Sequence, residues 1–276
     1  MGNKFCLVGR NALITGAAGL LGKEHAKALL EQGAVVVLTD VNQAALESAR
    51  DYLASAYSND HVLAYQMDVT SEDSIKDTLD VLNSSGIHIS ILINNAAIDP
   101  KVSEHGSLCD ASRLENYNLQ QWNVELAVGL TGAFLCSKIF GAVMANSLEP
   151  GVILNIASDL SVISPDQRLY SKPDLDRESQ PVKPITYSVI KSGLVGMTRY
   201  LSTYWIDQGV RCNALSPGGV ENGQGADFTN QLISRIPMGR MAAHDEYQSA
   251  IQFLCSDASM YMNGQNLVID GGRSVW

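Results

Sequence analysis

The amino-acid sequence predicts an α/β architecture, with a single doubly wound parallel sheet and helices on both faces. Short segments rich in Val, Ile and Leu alternate with longer segments of helical periodicity from one end of the chain to the other. Several short segments are apolar without interruption, as expected for strands covered on both faces. No internal repeat interrupts this order, so the sequence favours one domain over residues 1–276.

The first half of the chain supplies four predicted strands and the helices that follow them. The strands are predicted at 11–15, 34–39, 61–67 and 89–93, and the helices at 20–32, at 43–58 and from Thr70 or Ser71 onward. Gly33 is placed to end the first helix, and Asn42 is placed to cap the second. Glu72 and Asp73 favour the third, because carboxylates stabilise the first turn of a helix.

The second half continues the alternation with one interruption. Helices are predicted at 119–145 and 186–205, and strands at 151–157, 210–215 and 266–269. Residues 164–184 break the rhythm and contain Pro165, Pro173, Pro181 and Pro184 among polar residues. A loop of this length in a compact domain is usually functional or disordered. We therefore treat 164–184 as an insertion loop near the substrate pocket.

Composition narrows the function classes. With 46% hydrophobic residues the chain is not mainly disordered, and a net charge of −10 without a Lys/Arg run argues against nucleic-acid or anionic-membrane binding. The five cysteines (Cys6, Cys109, Cys136, Cys212, Cys255) and the histidines lack metal-site spacing, so neither a metal nor a disulfide is expected. With no secretory leader and no uninterrupted membrane-length apolar run, a cytoplasmic location is expected.

A glycine-rich turn joins the first predicted strand to the first predicted helix. Gly16, Gly19 and Gly22 let the backbone approach a pyrophosphate, and the helix that begins at Leu20 and Leu21 directs free N–H groups toward it. The alternative is a tight strand–helix turn with no ligand. Asp40 ends the second strand, where a carboxylate binds ribose hydroxyls and repels a 2′-phosphate. This favours NAD over NADP, with a helix-capping role as the alternative.

The candidate catalytic residues are Tyr187, Lys191 and Ser158. Residues four apart share a helix face, so the Lys191 ammonium lies near the Tyr187 hydroxyl and is expected to lower its pKa. A tyrosine of this kind serves as an acid/base for an alcohol or a carbonyl. Ser158 ends the fifth strand, and strand carboxyl ends face the ligand crevice in such folds. The alternative is a surface Tyr and Lys on a helix.

These motifs together resemble the classical short-chain dehydrogenase/reductase family over nearly the whole chain. The resemblance implies a Rossmann fold and an oxidoreductase with a Ser-Tyr-Lys set. Asp68 and Val69 would meet the adenine, and Asn95, Ala96 and Ala97 would lie on the adenosine side. Tyr187 and Lys191 would also hold the nicotinamide ribose, and Pro217, Gly218, Val220 and Asn222 would lie near the pyrophosphate and carboxamide.

Three features depart from the family pattern. Leu20 replaces a glycine, so the turn reads TGxxGxxG, as in the nucleotide-sugar branch, and we interpret it as a variant turn. Gly129 stands where the family has an Asn of its proton relay. The insertion lengthens the Ser158–Tyr187 interval. It offers Gln167, Arg168 and Tyr170 as candidate substrate contacts, unless it is a solvated loop away from the pocket.

The sequence therefore favours an oxidoreductase that transfers a hydride between NAD(H) and an alcohol or ketone. The TGxxGxxG turn and the polar insertion favour a hydroxylated, sugar-like substrate, and the overall pattern is also similar to dehydrogenases of bacterial surface-sugar pathways. The alternatives are a catalytically weakened nucleotide-binding sensor or scaffold, and an acyl-carrier ketoreductase. By resemblance a homotetramer or homodimer is expected, with Leu126, Leu130, Phe134 and Leu194 at the interface of the two long helices.

Overall fold

A seven-stranded, all-parallel sheet forms the centre of the protein in a computed structural model that describes residues 2–98, 112–173 and 175–275. The strands are β1 Asn11–Thr15, β2 Val35–Asp40, β3 Val62–Gln66, β4 Ile91–Asn94, β5 Gly151–Ile156, β6 Val210–Pro217 and β7 Asn266–Ile269. Their spatial order is β3-β2-β1-β4-β5-β6-β7. The predicted doubly wound fold is confirmed.

Helices connect successive strands and cover both faces of the sheet. They are α1 Leu20–Leu30, α2 Gln43–Ala56, α3 Glu72–Ser84, α4 Leu119–Leu126, α5 Gly132–Ala145, α6 Ile185–Tyr204, α7 Ala226–Ile233 and α8 Gln248–Cys255. The predicted first two helices end two residues early, and α7 and α8 were not predicted. The caps behave as expected, since the Asn42 side chain accepts a hydrogen bond from the Ala45 N–H at the start of α2.

Alternation along the strands divides the core into two layers. Ile14, Val36 and Leu38 pack on one face of the sheet with residues of α1, α2 and α8. Leu13 and Val37, at the intervening positions, pack on the other face with residues of α3, α5 and α6. Burial on both faces explains why the central strands are mostly apolar.

Three of the free thiols lie within this core. Cys136, Cys212 and Cys255 are buried, and burial raises the pKa of each to about 12. Cys6 is exposed, and Cys109 lies outside the described residues.

The long segment Leu119–Ala145 is apolar enough and long enough to cross a membrane by composition alone. In this fold it is the helix pair α4–α5, joined by a π-helical turn over Ala127–Thr131. Phe140 and Met144 of α5 are buried against the sheet. Part of its apolar character therefore comes from residues that pack on the sheet.

Residues 166–170 of the insertion pack against α7 and the segment that follows it. Leu169 is buried with Leu232, Ile236 and Met241 in a small cluster separate from the sheet core. The Tyr170 and Phe228 rings lie 5.6 Å apart. Hydrogen bonds from Arg168 and then Arg235 hold the pKa of Asp166 well below its usual range, and Arg235 Nε lies 2.7 Å from Asp166 Oδ2. Residues 166–170, α7 and residues 234–241 thus form one packed unit.

Candidate active site

The order of the strands creates a crevice at their carboxyl ends. β1 pairs with β2 on one side and with β4 on the other, so the chain reverses its direction of winding beside β1. In doubly wound folds ligands bind outside the strand ends at such a switch point. The glycine turn, Asp40, the segment after β4 and Ser158 all follow strands at this edge.

The glycine turn requires its glycines for steric reasons. Gly16 has φ +61°, and a Cβ there would lie 2.8 Å from the Ala96 Cα. A Cβ on Gly22 would lie 2.6 Å from the Gly16 carbonyl oxygen and 2.7 Å from the Ala17 Cα. α1 therefore begins tightly against the turn, and its first turn has no side-chain cap at Gly19. Uncapped N–H groups at a helix start suit a phosphate group.

Asn95 locks this turn to the segment after β4. Its side-chain amide donates to the carbonyl oxygens of Thr15 and Gly16, both at 3.0 Å. In return the Thr15 hydroxyl accepts the backbone N–H groups of Asn95 and Ala96, both at 3.0 Å. The resemblance implied only that Asn95 lines the adenosine side, whereas the structure gives its amide a role in shaping the turn.

Two carboxylates border the expected adenosine end. Asp40 Oδ2 accepts the Ala18 N–H at 3.2 Å, and its Oδ1 accepts the Asn42 N–H at 3.0 Å. Asp40 thus lies against the glycine turn, where the sequence placed it. Asp68 Oδ1 accepts both the backbone N–H and the hydroxyl of Thr70.

The remaining predicted cofactor residues lie around the same crevice. Leu20 and Leu21 open α1, Val69 is buried and Ala97 is exposed. On the far side, Pro217 ends β6 and Gly218 follows it, and the Tyr247 hydroxyl donates to the Gly218 carbonyl at 3.3 Å. Val220 forms an isolated parallel bridge with Ala242, and Asn222 is exposed.

The structure brings Tyr187 and Lys191 together on α6. The Lys191 ammonium is buried, donates to the Ile156 carbonyl at 2.8 Å and lies 5.6 Å from the centre of the Tyr187 ring. A second ammonium, that of Lys183, lies 3.9 Å from the same ring centre. Sequence reasoning did not identify Lys183, although its position four residues before Tyr187 was visible.

Ser158 follows β5 and is held by its neighbour. Its hydroxyl donates to Asp159 Oδ1 at 2.8 Å, and the Leu160 N–H donates to its oxygen at 3.2 Å. The other carboxylate oxygen of Asp159 accepts from Arg273 at 2.6 Å. Sequence reasoning missed both Asp159 and Arg273, because only the fold brings the C-terminal segment to the catalytic serine.

A buried carboxylate supports the start of the catalytic helix. Glu125 of α4 is buried and accepts hydrogen bonds from the Tyr117 hydroxyl at 2.7 Å and from the Thr186 hydroxyl. Gln121 donates to its second oxygen at 2.6 Å. Burial, together with hydrogen bonding to Glu125, raises the pKa of Tyr117 to about 12. These bonds tie α4 to the residue directly before Tyr187.

Gly129 is explained by packing. It is buried in the π-helical turn, and a Cβ at this position would lie 2.9 Å from Ile190 Cγ2 and 3.2 Å from Ile190 Cδ1. The turn therefore approaches α6 more closely than a side chain allows. Where the family places its relay Asn, this chain has only backbone.

We expect Gly129→Asn to lower the free energy of unfolding by about 1–3 kcal/mol, because the new side chain overlaps Ile190. Thermal and urea denaturation measure the change. Gly196→Asn is the matched control, since a Cβ on Gly196 in α6 meets nothing within 4 Å. Adding Ile190→Ala should restore part of the loss. A Gly129→Asn protein with undiminished stability and higher activity would contradict this account.

The insertion contributes to a cavity of about 420 Å³ beside the catalytic helix. Its lining includes Arg113, Gln167, Lys183 and Ser188. Gln167 accepts the Lys183 backbone N–H at 2.8 Å. By contrast, the Arg168 side chain is 82% exposed and pairs with Asp166, and Tyr170 packs on Phe228. Substrate contact by the three predicted residues stays a prediction, and Gln167 is the best placed of them.

Comparison with known proteins identifies the chain. A family model described as short chain dehydrogenase matches residues 10–171, and one described as Enoyl-(Acyl carrier protein) reductase matches residues 176–274. The chain belongs to the short-chain dehydrogenase/reductase family. The predicted resemblance is confirmed, and the chain is an oxidoreductase of this family.

Several relatives match over nearly their full length. D-threitol dehydrogenase of Mycolicibacterium smegmatis is 32% identical, covering 98% of this chain and 95% of the relative. NAD-dependent glycerol dehydrogenase of Listeria innocua is 29% identical, covering 98% and 96%. Gluconate 5-dehydrogenase from Burkholderia cenocepacia, in a crystal structure with NADP and tartrate, is 28% identical with a TM-score of 0.82, covering 99% and 98%. The predicted similarity to surface-sugar enzymes stays a prediction.

Proposed function

We propose that the protein is an NAD(H)-dependent dehydrogenase that oxidises a hydroxyl group of a polar, polyol-like or sugar-like substrate. The observation that carries this proposal is that Ser158 follows the end of β5, while the Lys191 ammonium bonds the Ile156 carbonyl of the same strand and lies 5.6 Å from the Tyr187 ring centre. The substrate class is supported by the relatives above, which are dehydrogenases of threitol, glycerol and gluconate.

The residues around the crevice fit a dinucleotide. The turn at Gly16 and Gly22 leaves no room for side chains, and the uncapped start of α1 offers N–H groups to phosphate. Asp40 would accept hydrogen bonds from the adenosine ribose hydroxyls, and Lys191 would bind the nicotinamide ribose. The dinucleotide, when bound, supplies the hydride acceptor or donor.

The chain's own residues would manage the proton. During alcohol oxidation the Tyr187 oxygen takes the proton of the reacting hydroxyl, and Ser158 lies next to that hydroxyl. The Lys191 ammonium favours the negatively charged form of Tyr187 by charge attraction. The hydrogen bond from Lys191 to the Ile156 carbonyl fixes the ammonium near the Tyr187 ring. Because Gly129 offers no side chain, proton exchange with solvent would pass along backbone groups or water.

A panel of substrates tests the function. Purified protein is mixed with NAD+ and polyols, sugar acids or simple alcohols, or in the reverse direction with NADH and acyl-thioester ketones, and NADH absorbance is followed. We expect turnover with polyols or sugar acids. Cofactor binding without turnover on any substrate would support the sensor alternative, and turnover only on acyl thioesters would support the acyl-carrier alternative.

We predict that NAD binds more tightly than NADP and that Asp40→Ala narrows the difference by about tenfold, since a carboxylate repels the 2′-phosphate. Fluorescence titration with NADH and NADPH measures both affinities. Asp40→Asn is the control for loss of the side chain's hydrogen bond, because it removes the negative charge but keeps a side-chain oxygen that can accept the Ala18 N–H. Tighter binding of NADPH by the wild type would contradict the assignment.

We also propose a homotetramer or homodimer assembled through α4, α5 and α6. Of the four leucine and phenylalanine side chains predicted at the interface, Phe134 is 51% exposed, and Leu126 and Leu130 are partly buried. Leu194 is 2% exposed and packs inside the chain's own core, so its predicted interface role is wrong. Exposed Leu119, Val124 and Val189 extend the apolar surface of these helices.

Light scattering is expected to give a multiple of the 29.7 kDa chain mass. Phe134→Glu should shift the population toward smaller species, because it puts a charge at the centre of the proposed interface. Leu148→Glu is the matched control, as Leu148 is fully exposed beyond the end of α5. A wild-type monomer would contradict the proposal.

A further inference from the structure

Two basic residues line the cavity beside α6, although the chain as a whole carries a net charge of −10. They are Arg113, on the segment before α4, and Lys183, near the end of the insertion. Among the described lining residues the one acidic side chain is that of Glu115. The cavity volume of about 420 Å³ is in the range of small-molecule pockets. Two cations therefore border a space of the size that a small molecule occupies.

Lys183 connects this cavity to the candidate catalytic residues. It lines the cavity, and its ammonium lies over the Tyr187 ring, 3.9 Å from the ring centre. The backbone here is held from two sides. The Val182 N–H donates to the Ser112 hydroxyl oxygen at 3.1 Å, and the Lys183 N–H donates to Gln167 Oε1 at 2.8 Å. A substrate that reacts at the Tyr187 oxygen and extends into the cavity therefore passes this ammonium.

Arg113 lies in the cavity wall with its side chain only 20% exposed. Its Nη1 donates to the Arg177 carbonyl at 2.9 Å. Its Nη2 lies 3.6 Å from Glu115 Oε2, which is longer than a hydrogen bond. Because the Glu115 side chain is 68% exposed, this ion pair is weak. A guanidinium has five N–H donors arranged to bind carboxylates and phosphates, so Arg113 keeps the capacity to bind an anion.

We propose that Lys183 and Arg113 bind an acidic group of the substrate, a carboxylate or a phosphate ester, while a hydroxyl of the same molecule reacts at Tyr187. The inference rests on the proposed function and narrows its substrate class to sugar acids or sugar phosphates. Both basic side chains form charge-assisted hydrogen bonds with either group, and such bonds are about twice as strong as neutral ones. The acidic group itself is unchanged, since the hydride passes to NAD+ and the hydroxyl proton to the Tyr187 oxygen.

The position of Lys183 over the Tyr187 ring also permits an effect on the tyrosine. A cation there would favour the negatively charged form of Tyr187 for every substrate alike. Binding of an acidic group, by contrast, favours anionic substrates over neutral ones. The ratio of kcat/KM for an anionic substrate to kcat/KM for its neutral counterpart therefore reports binding of the acidic group, because an effect on Tyr187 cancels from the ratio.

Two series of probes measure this ratio. One contains glycerol, glycerate and glycerol 3-phosphate, and the other contains D-glucitol, D-gluconate and D-glucitol 6-phosphate. If neither series is oxidised, the best polyol of the substrate panel is used with its own acid and phosphate ester. We expect a ratio of at least about ten for the carboxylate, the phosphate ester or both, as one hydrogen bond to a charged group permits. The preferred member distinguishes a sugar acid from a sugar phosphate.

Variants assign the ratio to the two basic residues. Lys183→Met and Arg113→Met should each lower it at least about threefold, and the double variant should bring it below about two. Lys183→Arg keeps the charge and should keep most of the ratio. Lys76→Met is the matched control and should leave the ratio unchanged, because it removes the same charge from α3, where the Lys76 side chain is 53% exposed. Thermal denaturation and NADH titration show that each protein folds and binds cofactor.

The outcomes separate this inference from the proposed function. If the wild type oxidises neutral polyols at least as well as their anionic counterparts, the inference is wrong and the proposed function stands. An unchanged ratio in the double variant, or an equal fall in Lys76→Met, would also overturn it. If the double variant does not fold, the two single variants decide. No oxidation of any alcohol by the wild type would instead contradict the proposed function.

Discussion

Tyr187→Phe is expected to lower kcat by about 10²–10⁴-fold while leaving NADH affinity nearly unchanged, because only the transferable proton is lost. The ring itself is retained, including the face beneath the Lys183 ammonium, which lies 3.9 Å from the ring centre. Steady-state kinetics on the best substrate and NADH fluorescence titration measure the two quantities. A variant that kept most of the wild-type rate would contradict the assignment of Tyr187 as acid/base.

Variants of Lys191 and Ser158 distinguish the loss of the Tyr187 proton from a general loss of structure. Lys191→Ala should reduce both the rate and the affinity for NADH, since its ammonium is proposed to act on the tyrosine and to bind the ribose. Ser158→Ala should reduce the rate with little change in NADH affinity, because its proposed partner is the substrate. If all three variants changed affinity and rate equally, a general loss of structure around the crevice would be the better explanation.

Gly22→Ala is expected to weaken NADH binding by about 10–100-fold and to lower the free energy of unfolding by about 1–3 kcal/mol. The added methyl group would lie 2.6 Å from the Gly16 carbonyl oxygen, and backbone atoms on that side cannot move without opening the turn. Fluorescence titration and thermal denaturation measure the two effects.

Gly196→Ala is the control for Gly22→Ala. Both glycines lie inside helices, so helix propensity alone predicts a gain of about 0.5–1 kcal/mol from either change. A Cβ on Gly196 meets no atom within 4 Å, so only that variant should show the gain. Equal stabilisation by the two substitutions, with unchanged NADH affinity, would mean that the turn does not depend on a bare Gly22.

Local patterns in the sequence were sufficient to predict where the strands of the sheet lie along the chain. The central strands β1, β2, β4 and β5 were predictable because they are largely buried on both faces and therefore mostly apolar, and Gly33 and Asn42 mark helix boundaries by their own chemistry. α7 and α8 were missed because each spans eight residues, and helices this short depend on tertiary packing for stability. Ile251 and Leu254 of α8, for example, are stabilised by the sheet core.

The candidate site likewise combines residues whose proximity the sequence predicts with residues that only the fold brings together. Tyr187 and Lys191 are four residues apart on one helix, so their proximity follows from the sequence alone. Asp159 and Arg273 are 114 positions apart, and nothing local relates them. Gly129 was recognised as a departure, yet its cause is the approach of Ile190 from another helix. Contacts of this kind are set by the fold and carry no periodic signature.

The packed unit formed by residues 166–170, α7 and residues 234–241 has a consequence for how substrate range could be altered. Its apolar centre, Leu169 with Leu232, Ile236 and Met241, is separate from the two layers that hold the sheet and the glycine turn. The Asp166–Arg235 ion pair joins its two halves. When a relative's insertion is transferred into this protein, the matching α7 should therefore be transferred with it. The part of the protein that would bind the dinucleotide would then keep its own sequence.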